Sequence, residues 1–321
     1  MVMPLNLVSD KSPFRSLLMI TLVVMIGLVV GPLLGGAIAS SFYEGEFIAD
    51  LQNFTLGPDA FDAILILQGT GTIVGLILFP LIYVTQLEHK KLRPFFPIQD
   101  NLPMILLVVA LLGIVFPIAL SPVMVWNMNF KFPEFLHGFE QWAIEKEELG
   151  TRLTEQMTNF TSLNKMLAGV FVIGLLPAIG EELVFRGLLQ REIWRASLKI
   201  HLAIWLSAAI FSTIHFQFFG FIPRLLLGAL FGYLYYWSGN LLIPIFSHFV
   251  NNAFIVVMVY LNQTKVTTID IEGGEAPPVQ FVIASAIISV GLIYYIWKHY
   301  TMVDPPVERL DNSYRDNGPL A

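Results

Sequence analysis

The 321-residue chain contains no cysteine. That absence removes disulfide frameworks, thiolate metal sites, paired-cysteine redox chemistry and attachment of a lipobox or prenyl lipid. It says nothing about compartment, because a chain without thiols fits any redox poise. Charge is scarce as well: 13% of residues, against roughly a quarter in an average soluble domain. Eighteen Lys and Arg with 24 Asp and Glu are too few to cover the surface of a soluble protein this long. Soluble globular, disordered and fibrous classes are thereby excluded. The formal charge is −6 and no basic tract is present, so nucleic acid is not an expected partner. No internal repeat is visible, which leaves inverted-repeat transporter architecture without support.

What the chain has instead is apolar length. Hydrophobic residues make up 55%, and mean hydropathy is +0.69. A bilayer core needs about 20 apolar residues in a helix. Eight stretches qualify, at about 16–39, 63–85, 103–125, 166–185, 200–219, 222–237, 241–261 and 279–297. The sixth is the shortest and carries Arg224 near one end. The expected fold is all-α, a polytopic membrane protein with about eight transmembrane helices in a lipid bilayer.

Lys and Arg fall in alternate loops: Lys11 and Arg15; Lys90, Lys91 and Arg93; Arg186, Arg191, Arg195 and Lys199; then Lys298, Arg309 and Arg315. The intervening loops are acidic, with Glu44, Glu46, Asp50 and Asp59 in one and Asp270, Glu272 and Glu275 against Lys265 in another. The positive-inside rule then puts both termini in the cytoplasm. The first span ends in a signal-peptidase-like Ala37-Ile38-Ala39, yet its apolar stretch exceeds a signal peptide's usual 7–15 residue core, so a retained helix is expected. The outer loop 127–164 has an acidic cluster (Glu140, Glu145, Glu147, Glu148, Glu155). Its Phe132, Phe135, Phe139, Trp142 and Ile144 recur at near-helical spacing, as in an interfacial amphipathic helix. The tail after Lys298, with Pro305 and Pro306, reads as a short solvated end.

Ionisable residues inside a membrane are functional candidates. Gly180-Glu181-Glu182 opens a segment ending Phe185-Arg186-Gly187. Glu182 and Arg186 are four apart and pair on one helical face, while Glu181 points roughly 100° away and is free to act as a base. The other reading is a charge cluster at a helix end, snorkelling into headgroups. His215 lies deep in the fifth span, one turn after Phe211; it is also readable as a hydrogen-bonded packing histidine. His248 and Asn252 share a face of the seventh span, either as a donor pair for developing negative charge or as interhelical polar contacts. Taken together, groups in lipid must face one another or water, and these make a hydrolytic site. No HExxH, GxSxG or paired-Asp motif competes.

The three motifs, EExxxR at 181–186, FxxxH at 211–215 and HxxxN at 248–252, resemble in order and register the CPBP family of CAAX proteases and bacteriocin-processing (Abi) enzymes. The resemblance covers about 165–262, with 1–164 as helices one to three plus the outer loop and 263–321 as the last helix and tail. It implies an eight-helix intramembrane endopeptidase acting on a membrane-associated peptide or protein. By position, Glu181 would be the base on the attacking water and His215 its partner. His248 and Asn252 would form the oxyanion site, with Glu182, Arg186 and Phe211 supporting. Both metal-free glutamic and zinc mechanisms have been argued for the family. Glu181, His215 and His248 are of ordinary zinc-ligand type, but Glu182's commitment to Arg186 favours no cofactor. Host membrane would be a bacterial plasma membrane. A catalytically idle scaffold or immunity protein, or a proton- or cation-coupled transporter, are the alternatives. One geometric tension stands: straight spans would leave Glu181 and His215 on the order of 10 Å apart in depth.

Overall fold

The computed structural model describes residues 11–53, 57, 60–268 and 276–303, and among these all regular structure is helical. Ten helices carry the fold: α1 (Pro13–Ala39), the short α2 (Phe47–Asn53), α3 (Phe61–Leu87), α4 (Leu102–Met128), α5 (His137–Met157), α6 (Leu163–Ser197), α7 (Ile200–Thr213), α8 (Phe221–Ser238), α9 (Leu242–Gln263) and α10 (Val279–Val303). Seven spans among the described residues are long and apolar enough to cross a bilayer. The chain is an all-α integral membrane protein that crosses the bilayer several times. The fifth expected span is shorter: α7 has 14 residues, because the chain turns at Phe216 with a positive φ of 53°. Asp59, Asp270, Glu272, Glu275 and the tail containing Pro305, Pro306, Arg309 and Arg315 lie outside the described residues.

Lipid tails are as apolar as leucine, so close backbone approach and buried polar bonds hold membrane helices together. α1 shows both faces of this. Leu22, Met25, Val29 and Leu33 are exposed, while Gly27, Gly31 and Gly35 face α3, and a Cβ on Gly31 would meet Gly71 Cα at 2.8 Å. Elsewhere α4 packs against α9 and α10, α7 against α8, and α9 against α6. One apolar core joins Ile105, Val109 and Leu112 of α4 to Phe231 and Leu234 of α8, Ile243 of α9 and Ile296 of α10. A second joins Ile20, Tyr83 and Phe95 to Leu183 and Tyr235.

Two helices widen just before an internal proline. π turns at Ile73–Leu78 in α3 and Val170–Leu175 in α6 precede Pro80 and Pro177. Proline has no N–H for the carbonyl four residues back and its ring clashes there, so the preceding turn opens.

Lys11 pairs with Glu88 at 2.8 Å, Arg195 donates to the Lys11 carbonyl, and Tyr300 donates to Gln99. The start of α1 and the ends of α3, α6 and α10 therefore share one face. On the opposite face, Asn127 bridges to Phe218 and Ile222, and Gln263 bridges to Thr158 and Phe160. Helix α5 lies here, within the 127–164 segment where an amphipathic helix is expected; it begins at His137, so Phe139 and Trp142 are on it and exposed, while Phe132 and Phe135 precede it.

The expected basic loop after the fourth span is corrected. α6 runs on to Ser197, with a second π turn at Leu183–Leu189, so Arg186 and Arg191 are buried helix residues and not loop charges. Arg191 donates to the Gly187 carbonyl and lies over the Phe95 ring. Periodicity alone placed the end of the span at the first cluster of charge; buried partners carry the helix past it.

Candidate active site

Glu181 lies near the middle of α6, not near its end. The helix approaches α3 closely there: a Cβ on Gly180 would stand 2.7 Å from Leu76 Cβ. Next to it, Glu182 is fully buried. A buried carboxylate is costly unless it is paired and hydrogen-bonded. Its Oε1 accepts from Arg186 Nη1 at 2.7 Å and from His248 Nδ1 at 2.8 Å, while Oε2 has no partner among the described residues. Arg186, fully buried too, donates its Nη2 to the Gly228 carbonyl at 2.8 Å. Gly228 packs tightly here, since a Cβ would lie 3.2 Å from Arg186 Nη2 and from Phe211 Cδ1.

Aromatic rings enclose the cluster. The Arg186 guanidinium lies over Phe211 and Phe231, at 5.0 and 5.6 Å. His248 stacks on Phe231 at 4.8 Å with 20° between the planes. Phe211 also meets Phe185 and His215 edge-on. With Nδ1 held by Glu182, the His248 ring turns Nε2 towards Glu181 Oε2, 3.7 Å away. That separation is too long for a direct hydrogen bond and too short for a water to lie between the two atoms, so a water touching both would sit beside them.

His215 is placed differently from the expected pairing. It lies in the turn after α7, and its Nδ1–H donates to the Phe211 carbonyl at 2.8 Å. Among the described residues it makes no bond or ion pair with Glu181; Phe211 meets the rings of both His215 and His248. In the neutral ring this bond leaves the lone pair on Nε2. Burial, and then the nearby Arg224 charge, push the His215 imidazole down to about 4.

Asn252 donates to the Ile173 carbonyl at 3.4 Å and accepts from Asn251 at 3.0 Å. Ile173 is four residues before Pro177, so Asn252 serves the carbonyl that the proline leaves unserved. The buried neighbour Asn251, whose Oδ1 has no partner among the described residues, was not singled out by the motifs. Nor were Phe231, Gly228 and Arg224. Only Arg224 carried a usable signal, a lone cation in an apolar span.

A catalytic zinc takes three protein ligands. Among the described residues no three His, Cys, Asp or Glu side chains converge on one point. Glu181 and His248 approach each other and His215 does not join them, so this donor set does not fit a zinc site and no step below is drawn through a metal.

The fold and site define a multi-pass membrane protein with a carboxylate–imidazole cluster enclosed between α6, α7, α8 and α9. Residues 163–254 match the family described as "Type II CAAX prenyl endopeptidase Rce1-like". The chain is 33% identical over 88 residues to YpbD of Bacillus subtilis, described as uncharacterized, covering 26% of this chain and 42% of that protein. It is 30% identical over 99 residues to the membrane-embedded CAAX protease MroQ of Staphylococcus aureus, covering 29% of this chain and 40% of MroQ. The match thus spans about two-fifths of the length of either relative. No solved structure gives a significant match. This central segment is similar to the CPBP/CAAX-protease family.

Proposed function

We propose that the protein is an intramembrane endopeptidase that hydrolyses a peptide bond of a membrane-associated peptide or protein, without a metal. The observation that carries this reading is the 3.7 Å gap between Glu181 Oε2 and His248 Nε2, beside a histidine anchored on a buried Glu182–Arg186 pair. A water held beside these two atoms loses a proton to Glu181 as its oxygen attacks the scissile carbonyl carbon. His248, fixed in orientation by Glu182 and carrying a proton on both ring nitrogens, donates its Nε2–H to the tetrahedral oxyanion. Glu181 returns the proton to the leaving nitrogen, so the products are a carboxylic acid and an amine. His215, with its lone pair on Nε2, is a second proton acceptor next to Phe211. Asn252 belongs to this assembly as the residue that holds the α6 backbone ahead of Glu181.

The same reading puts both termini on the cytoplasmic side of a bacterial plasma membrane. It is supported by Lys11, Arg195 and the 88–99 loop sharing one face, and by matched relatives from two bacteria. Detergent-purified protein tests the activity directly on a quenched membrane-peptide library. Wild type should cleave, while Glu181→Ala and His248→Ala should each lose about 10²–10⁴-fold, the range of general acid–base catalysis. Cleavage that survives Glu181→Ala would end the proposal.

A further inference from the structure

Arg224 is a cation of this site to which the reading above gives no task. It stands in the first turn of α8, and its charge bears on Glu181, His215 and Glu147 of α5. Arginine offers five N–H donors in a rigid fork. Here two bonds are made, both to Gln217: Nη2 to Oε1 at 3.2 Å and Nη1 to the backbone carbonyl at 3.5 Å. The guanidinium lies against the backbone of Gly220, where a Cβ would stand 3.0 Å from Nη2. It makes no ion pair within 4 Å among the described residues, and Glu147 bonds instead to the Phe219 N–H at 3.3 Å. Arg186 differs in each respect, being fully buried and committed to Glu182, the Gly228 carbonyl and two ring faces. Of the two cations around Glu181, one compensates a buried charge and the other, half-buried, has donors left to give.

We propose that Arg224 binds a carboxylate of the substrate near the bond that is cleaved, supplied either by the peptide's C-terminus a few residues beyond that bond or by an Asp or Glu side chain. The inference rests on the peptidase reading for the word substrate, and on the geometry for the rest. A planar fork with uncommitted parallel N–H groups matches the two oxygens of a carboxylate. Arg224 is held at the Gln217–Gly220 turn, which α5 touches through Glu147, so a carboxylate bound there would fix the peptide at that turn while its carbonyl faces Glu181. Glu147 and Glu181 keep the unliganded guanidinium from being an isolated charge in an apolar span. An arriving carboxylate therefore competes with their field, and selectivity should appear in KM more than in kcat.

The test uses the full chain in detergent and quenched membrane peptides made in matched forms, with free-acid or amide C-termini and with Glu or Gln beside the cleaved bond. Wild type is expected to show a KM about tenfold lower for whichever form supplies the carboxylate. Which pair shows the difference identifies the source. Arg224→Gln should erase it with kcat nearly kept, and Arg224→Lys should retain part of it. Equal KM for charged and neutral forms in wild type, or a preference that Arg224→Gln leaves intact, overturns the assignment. Thermal stabilisation of Glu181→Gln protein by the same uncleaved peptides repeats the comparison without turnover. A carboxylate-dependent shift lost on adding Arg224→Gln upholds Arg224 even if wild type cleaves nothing, in which case the peptidase reading alone falls. Neither shift nor cleavage overturns both.

Discussion

His248 donates its Nδ1 hydrogen to Glu182 Oε1 at 2.8 Å, and the same oxygen takes Arg186 Nη1 at 2.7 Å. Two neighbouring carboxylates are thereby given different work. Glu182 is closed off by a cation and an imidazole. Glu181, 15% exposed at its side chain, keeps an oxygen facing the far nitrogen of the same ring.

Removing Arg186 should cost more than removing the pair. Arg186→Met strands a fully buried carboxylate, for which a loss of about 3–5 kcal/mol is expected. Glu182→Gln combined with Arg186→Met should recover part of it. Thermal unfolding in detergent of the single and double variants checks both statements.

Gly228→Ala should destabilise by about 1–3 kcal/mol, the usual cost of overpacking. The added methyl would press on Ala208 Cβ, Phe211 Cδ1 and Arg186 Nη2, each at 3.2 Å, and Arg186 is held by bonds on both sides. The measurement is again unfolding in detergent. An unchanged midpoint would mean that the pocket yields.

Much of this was legible in the sequence, for reasons particular residues make clear. Apolar run length located the spans, and the Glu182–Arg186 pair followed from four-residue spacing on one helix face. The near-helical aromatics of 132–144 pointed to a helix in that loop, but α5 starts only at His137 and runs on to Met157. What failed was sequential reasoning about charge. Arg191 looked like a loop cation because nothing local reveals that Phe95 and the Gly187 carbonyl lie against it. The expected alliance of His215 with Glu181 depended on where α7 ends, and a positive φ at Phe216 is a tertiary outcome. Phe231 had no motif to announce it, since its stacking on His248 joins residues of different helices.

Asn252→Ala should lower stability by about 1 kcal/mol by leaving the Ile173 carbonyl without its side-chain donor. Pro177→Ala would restore an N–H to that carbonyl, so the Asn252 effect should shrink in the Pro177→Ala background. Equal effects in both backgrounds would separate Asn252 from the proline.

His215 gives a pH dependence of definite sign. Its folded value, about 4, lies below an unfolded value near 6.5. The unfolded chain therefore binds more protons between those limits, and this contribution to stability is complete above about 6.5 and is lost as pH falls towards 4. Unfolding midpoints of wild type should drop across that window, and His215→Gln should flatten the slope by about one proton. Parallel slopes would show that His215 does not titrate there.

The most direct test of the central claim is turnover of one cleaved peptide by wild type and Glu181→Gln, each stripped with a chelator and assayed for bound metal. The account predicts that metal-free wild type keeps its rate, while Glu181→Gln falls by about 10²–10⁴-fold with an unchanged unfolding midpoint. Loss of wild-type activity on stripping, restored by zinc, would contradict it and make these side chains ligands in place of a base and its partner.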